Sequence, residues 1–148
     1  IEAVGHQYLS TYFEQCRKLL KPNGLALMQA TTIDDQRYEK ALKTVDYIKR
    51  YIFPGSFIPC TSLLVDQAAK QSLRTVGLQD IGQSYALTLN HWRQRFFDVL
   101  PEVKALGFDE RFVRMWEFYL CYCEGGFKEG AISTVQLLFQ ARSNQMNQ

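Results

Sequence analysis

HQYLSTYFEQCRKLLKPNGLALMQAT, residues 6–31, is the stretch on which the fold class turns. Over residues 6–20, Tyr8, Leu9, Tyr12, Phe13, Cys16, Leu19 and Leu20 recur at helical spacing, which predicts an amphipathic helix. Pro22 and Gly24 within KPNG stop it. LALMQAT, residues 25–31, follows at once as a continuous apolar run, the pattern of a strand covered on both faces. A helix, a tight turn and a buried strand make half of a βαβ unit and point to an α/β fold.

The same reading extends outward. Ile1–Val4 looks like the end of a strand, with Glu2 inside it. Ligands of doubly wound sheets sit at the carboxyl ends of strands, which makes Glu2 a candidate functional carboxylate. On its own it reads more readily as a solvated carboxylate at a frayed end. The charged stretch 34–51 predicts a surface helix, with a break allowed. IFPGSFIPC, residues 52–60, carries two prolines and a glycine among bulky apolar residues and should be an ordered loop. Residues 61–77 predict a helix, with Thr61 or Ser62 as its N-cap and Gly77 just past its end. Residues 78–86 read as a strand, 88–100 and 109–127 as aromatic-rich helices, and 132–142 as the last strand. Gly125-Gly126 ends or kinks the second of those helices, and the tail SNQMNQ reads as polar and frayed. Alternation of strands and helices predicts a mostly parallel sheet. Three strands are few for such a sheet, so part of it is expected ahead of Ile1.

Composition narrows the function. With 148 residues the chain is one domain by length, and 47% hydrophobic content supplies a core. Lys and Arg number 17 against 15 acids, a net charge of +2, and no basic block marks a nucleic-acid partner. No apolar run reaches the length of about 20 residues needed to span a membrane. Cys16, Cys60, Cys121 and Cys123 have no metal-ligand spacing and read as reduced thiols of a cytoplasmic protein, with no metal. Cys121 and Cys123 are expected to be small buried hydrophobes, and His91 a surface histidine.

Four blocks carry a resemblance: IEAVGHQYLSTYFEQCRKLLKPNGLALMQATTI, RYIFPGSFIP, YALTLNHWRQRF and FYLCYCEGGF. In this order and spacing they resemble the cyclopropane-fatty-acyl-phospholipid synthases and their mycolic acid relatives. The resemblance implies the C-terminal part of a seven-stranded, Rossmann-like, S-adenosylmethionine-dependent methyltransferase domain, with extra helices forming an acyl pocket. It also implies that the family's glycine-rich cofactor loop, ribose-binding acid and an upstream cysteine lie ahead of Ile1, and that Ile1 falls inside the family's M-I-E motif. By this reading residues 1–148 are inactive by themselves.

The chemistry implied is transfer of a methyl group from S-adenosylmethionine to the cis double bond of an unsaturated phospholipid acyl chain. Loss of a proton from the new methyl then closes a ring. A bicarbonate ion serves as the base in such a site, and the resemblance assigns its holders to Glu2, Tyr85, the backbone amide of Thr31 and, where the family has histidine, Gln29. An amide carries no charge, so Gln29 departs from the pattern and leaves open a ring or a methyl-branched product. Glu2 beside an anion is expected to have a raised carboxylate pKa or to share a proton. Phe53, Phe57, Trp92, Tyr119 and Phe127 are expected to bind substrate, with Phe96, Phe97, Trp116 and Phe118 as further wall candidates. On spacing alone each of these aromatics, Tyr85 included, reads more readily as core.

The implied location is cytoplasmic, on the inner face of the membrane. Peripheral contact is expected through the loop Phe53–Ile58, assisted by Lys49 and Arg50; the same loop also reads as a cover for the pocket. A truncated sheet should expose an edge and self-associate. Two alternatives stay open: a non-catalytic lipid- or partner-binding module, and methylation of another hydrophobic acceptor.

Overall fold

The KPNG turn is closed by local geometry. Asn23 takes a left-handed φ of 59°, and the Gly24 N–H donates to the Lys21 carbonyl at 2.9 Å. A Cβ on Gly24 would lie 2.9 Å from that same carbonyl oxygen, so glycine is required there. A computed structural model describes residues 1–142, so the expectation for SNQMNQ lies outside the described residues. The helix before the turn, α1, spans Leu9–Leu19, and the strand after it, β1, spans Leu25–Ile33. Residues 6–8 form a separate 3₁₀ turn, and Leu19 is 85% exposed, so the apolar face of α1 is narrower than its spacing predicted.

The chain continues through α2 (Asp35–Lys43), a π-helical turn at Ile48–Ile52, the loop to Cys60, α3 (Thr61–Lys70) and β2 (Leu73–Asp80). It then runs through α4 (Gly82–Asp98), α5 (Leu100–Ala105), α6 (Glu110–Lys128) and β3 (Ile132–Ala141). The described chain divides into two compact units, residues 1–80 with 134 onward, and residues 81–133.

In the first unit β3 lies between β1 and β2. β2 and β3 are antiparallel, from Leu73 opposite Ala141 to Asp80 opposite Val135, with a bulge between Thr75 and Gly77. This pair departs from the mostly parallel arrangement expected from alternation. Alternation predicts direction when one helix forms the crossover, but three helices separate β2 from β3. Val135, Leu137, Phe139 and Ala141 are buried along one face of β3. They belong to one core with Leu9 and Phe13 of α1 and with Leu64 and Ala68 of α3. Phe13 meets Phe139 edge-on, with ring centroids 5.7 Å apart. Only one face of β1 is covered among the described residues: Met28 and Ala30 are buried, while Leu25 and Leu27 are 57% and 67% exposed.

Several boundaries differ from the sequence reading. Glu2–Val4 is a 3₁₀ turn, not the end of a strand. The third helix stops at Lys70 with Cys60 at its N-cap position, Ser72 turns the chain through a left-handed φ of 57°, and Gly77 lies inside β2. Leu73 and Val76 continue the helical spacing from Ala69, but pairing with β3 takes precedence over that local pattern. The strand expected at 78–86 is displaced accordingly, and Tyr85 and Ala86 belong to α4.

The second unit holds α4 to α6, whose core is Ala86, Leu89, Leu120 and Phe127. Asp109 caps α6, its carboxylate accepting the Phe112 N–H at 2.8 Å. Gly125 and Gly126 lie within α6, which runs on to Lys128; a Cβ at Gly126 would press on Ile132 at 3.2 Å. All four cysteines are free, and Cys121 is exposed, not buried; its position turns it away from the Leu120–Phe127 seam. Cys123 is half-buried and His91 is exposed. Phe13→Ala should cost about 3–5 kcal/mol of stability, the cost of emptying a large buried site, read from the urea unfolding midpoint.

Candidate active site

The carboxyl end of β1 gathers the first set of residues. The 3₁₀ turn at Glu2–Val4 brings the Glu2 side chain there, where a carboxylate oxygen accepts the backbone N–H of Thr31. The Ile1 ammonium donates to the other carboxylate oxygen at 3.1 Å. The Glu2 carbonyl accepts the Phe57 N–H at 3.2 Å, and the Ile33 N–H donates to the Pro59 carbonyl at 3.0 Å. The loop 53–60 is thus fastened both to the Glu2 turn and to the strand end. Glu2 lies at a strand end as the sheet argument expects, but it reaches that end from a turn beside β1.

Burial pushes the Glu2 carboxyl up, but the backbone N–H groups of Glu2 and Thr31 and the Ile1 ammonium outweigh burial and hold it below the ordinary range. The Thr31 amide, expected to serve the anion, is taken by Glu2 itself.

Gln29 is exposed, and its amide oxygen accepts from Gln136 of β3 at 3.2 Å. It lies two residues before Thr31 and on the same strand face as Leu27, the face left uncovered. The apolar run around it suggested a buried amide; the alternation of β1 turns it outward instead. Phe57 is buried at 3% exposure in the first-unit core, whereas Phe53 is 50% exposed. Phe57 therefore cannot be a membrane anchor. Lys49 is likewise committed, its ammonium donating to the carbonyls of Ala41 and Thr44 at the end of α2. Arg50 lies over the Tyr51 ring at 5.5 Å.

The second unit gathers Tyr85, Trp92, Tyr119 and Phe127. The Tyr85 ring lies 5.2 Å from Phe127 and 6.4 Å, edge-on, from Trp92. Tyr119 packs on Trp116 at 4.9 Å. Its phenol is pushed up to about 12, first by burial and then by Cys123 and Tyr85 nearby, so it stays neutral. Phe108, Phe112 and Trp116 continue the wall as a stack, with centroids 4.3 and 5.7 Å apart. Phe112 was missed by the sequence reading, although its spacing of four from Trp116 signals it. Glu124, a buried carboxylate in the same helix, was also missed; a lone acid in an apolar run was the available signal.

The described residues hold no group of three or more His, Cys, Asp or Glu side chains that could bind a metal.

A sequence model of the mycolic acid cyclopropane synthetase family matches residues 1–137. The chain belongs to this family. It is 39% identical over 137 residues to a tuberculostearic acid methyltransferase of Mycobacterium tuberculosis, covering 92% of this chain and 32% of that protein. It is 34% identical over 141 residues to the cyclopropane-fatty-acyl-phospholipid synthase of Escherichia coli, covering 93% of this chain and 35% of that one. A solved mycolic acid cyclopropane synthase complexed with SAH and CTAB superposes with a TM-score of 0.85 at 24% identity, over 94% of this chain and 52% of the other. The chain therefore spans about a third of the length of these curated family members, and the α/β methyltransferase fold of the solved structures is its own.

The lowered Glu2 carboxyl has a consequence for stability. A depressed folded-state value adds stability above the unfolded value, about 4.3 for Glu, and that stability is lost as pH falls through the folded value. The gap in urea midpoint between the native chain and Glu2→Gln should therefore narrow as pH drops through the acid range. A gap constant with pH would mean that the carboxylate charge contributes nothing.

Proposed function

We propose that the complete protein carrying this chain adds a methyl group to the cis double bond of unsaturated acyl chains in membrane phospholipid. In this reading the chain provides the proton-accepting carboxylate and part of the acyl wall. The observation that carries it is the Glu2 carboxylate held on the Thr31 amide at the end of β1, within a chain of the cyclopropane synthetase family.

S-adenosylmethionine supplies the methyl when bound. Among the described residues a glycine follows a strand and opens a helix at Gly82, between β2 and α4. A Cβ there would come within 2.2 Å of the Ser133 hydroxyl, so the space serves packing against the chain and not a cofactor. The Gly82 turn therefore does not fit the cofactor.

The chemistry of this chain's own residues follows from the substrate. An alkene has no acidic proton until the methyl arrives; the cation then formed must lose one from the new methyl. A fixed anion in a water-poor site stabilises that positive charge far better than it would in water. Glu2 can accept the proton directly, or hold a bicarbonate that does. The ion fits only if Glu2 releases the Thr31 N–H to it or shares a proton with it, because two facing anions repel. Tyr85, Trp92 and Phe127, gathered in the second unit, are suited to lining an apolar acyl chain and keeping water from it. Gln29 can donate a hydrogen bond but cannot act as a base, which favours Glu2 as the acceptor.

The reading is checked in the full-length enzyme. Glu2→Gln should lower turnover by about 10²–10⁴-fold while leaving S-adenosylmethionine affinity unchanged, and Tyr85→Phe should lower it less. Wild-type turnover by Glu2→Gln would remove Glu2 from the mechanism. Mass spectrometry of the extracted lipid separates a ring from a methyl branch.

Access to bilayer lipid is expected without a spanning segment; no helix of the described residues is long and apolar enough to cross a membrane. Phe53 and Tyr51, each 50% exposed, are the side chains of this loop region available for interfacial contact. Phe53→Asp should reduce co-sedimentation with phospholipid vesicles, whereas unchanged binding would free the loop from this role.

A further inference from the structure

The proposed chemistry leaves one buried charged group unused. Glu124 on α6 is 5% exposed. The buried side chains of α6 are Val113, Leu120, Glu124 and Phe127, spaced as one seam, and Glu124 is the one polar member. The facing seam of α4 buries Gly82, Ala86 and Leu89. α4 and α6 pack on each other, and small or flexible apolar side chains along both seams distinguish poorly between neighbouring registers.

The polar contacts of Glu124 are specific where the apolar ones are not. One carboxylate oxygen accepts from Asn90 Nδ2 of α4 at 3.2 Å and from Lys128 of α6. The other faces Arg93 Nη2 of α4 at 3.5 Å. Asn90 is itself fixed, its amide oxygen accepting from Gln94 at 3.0 Å. The Lys128 ammonium, aided by Asn90 and Arg93, outweighs burial and holds the Glu124 carboxyl below the ordinary range, so it is charged at neutral pH. For stability alone the arrangement is poor, because Arg93 Nε is buried without a hydrogen-bond partner. A buried ionic group of this kind is weak evidence for stability; its best-attested use is to select one register.

We propose that Glu124 is a positioning residue that locks the register of α6 against α4 and thereby seats Tyr85 against Phe127. A slip of one helical turn moves α6 by about 5.4 Å. It would leave the carboxylate without Asn90 and Arg93 and would part the Tyr85 and Phe127 rings, now 5.2 Å apart. The alanine and leucine contacts of the seam can re-form after such a slip; the charged contacts cannot. Through Tyr85 and Phe127 the lock sets the shape of the aromatic wall, so its effect on catalysis rests on the acyl-wall reading above.

Glu124→Leu separates this role from simple stabilisation. In the full chain, near-UV circular dichroism and tryptophan emission report on the second unit, because both tryptophans, Trp92 and Trp116, lie on α4 and α6. The far-UV signal should stay near its native value while Tm falls, since removing one member of the cluster leaves Arg93 and Asn90 without their acceptor, so the comparison is made on folded protein well below Tm. The near-UV signal and emission should change. In the full-length enzyme, turnover per folded molecule should fall by about tenfold to a hundredfold, with KM for phospholipid raised. Glu124→Gln keeps the shape and the Asn90 bond, so it should restore most of both signals; if Glu124→Leu does not fold, Asn90→Leu, which removes the α4 partner, takes its place. Unchanged near-UV signal and emission in Glu124→Leu or its replacement would overturn the register lock. Changed spectra with native turnover and native acyl preference would leave the lock standing and overturn the acyl-wall reading instead.

Discussion

Insertion of β3 between β1 and β2 is the constraint from which the first unit takes its shape. The centre of the sheet is made from the strand that comes last in the chain, and that strand carries the row Val135, Leu137, Phe139 and Ala141. Both α1 and α3 bury their apolar faces in the same core as this row. The turn at Gly24 joins in as well, its carbonyl accepting the Ala141 N–H at 2.9 Å, while the Arg142 N–H reaches the Ser72 carbonyl at 3.1 Å. The C-terminal end of β3 thus ties down the two turns that lead into β1 and β2.

The candidate site follows from the placement of β1. Its carboxyl end offers a backbone N–H at Thr31 that the ladder leaves to Glu2, and a buried or half-buried amide donor must find an acceptor. Glu2 provides one through a turn, which also receives Phe57 and so fixes the loop. The loop's apolar character is then explained by packing: Phe57 enters the core and Phe53 does not. The family relation bears on the same residues, because the matched stretch runs from residue 1 to residue 137 and contains every candidate side chain.

Elements with one dominant local signal were readable from the residues. The KPNG turn, β1, the break after α2, the ordered apolar loop and β3 all stand close to where their composition placed them. The region 70–86 was not readable, because Leu73 and Val76 keep a helical spacing while pairing as a strand. Strand direction was hidden for a different reason, since it depends on how three helices return the chain. At the site, the resemblance chose Glu2 and Thr31, and the structure joins them. It could not show that Gln29 faces outward, because a run of apolar letters does not reveal which face of a strand is covered. Glu124 was invisible to a search for catalytic patterns, since its partners Asn90 and Arg93 lie more than 30 residues away in the chain.

The strand order has a consequence for how the protein is made. A ribosome delivers β1 and β2 long before β3, and in the finished sheet the first two are not neighbours. While α4 to α6 are being synthesised, the edges that β3 will occupy are open. Contacts of this separation close slowly, and open edges invite pairing with other chains. The helical unit between β2 and β3 builds its own core from residues close together in the chain and can condense first. Escape from aggregation in the cell should accordingly depend on how fast the final ten-residue strand arrives and inserts, and on whatever shields β1 until it does.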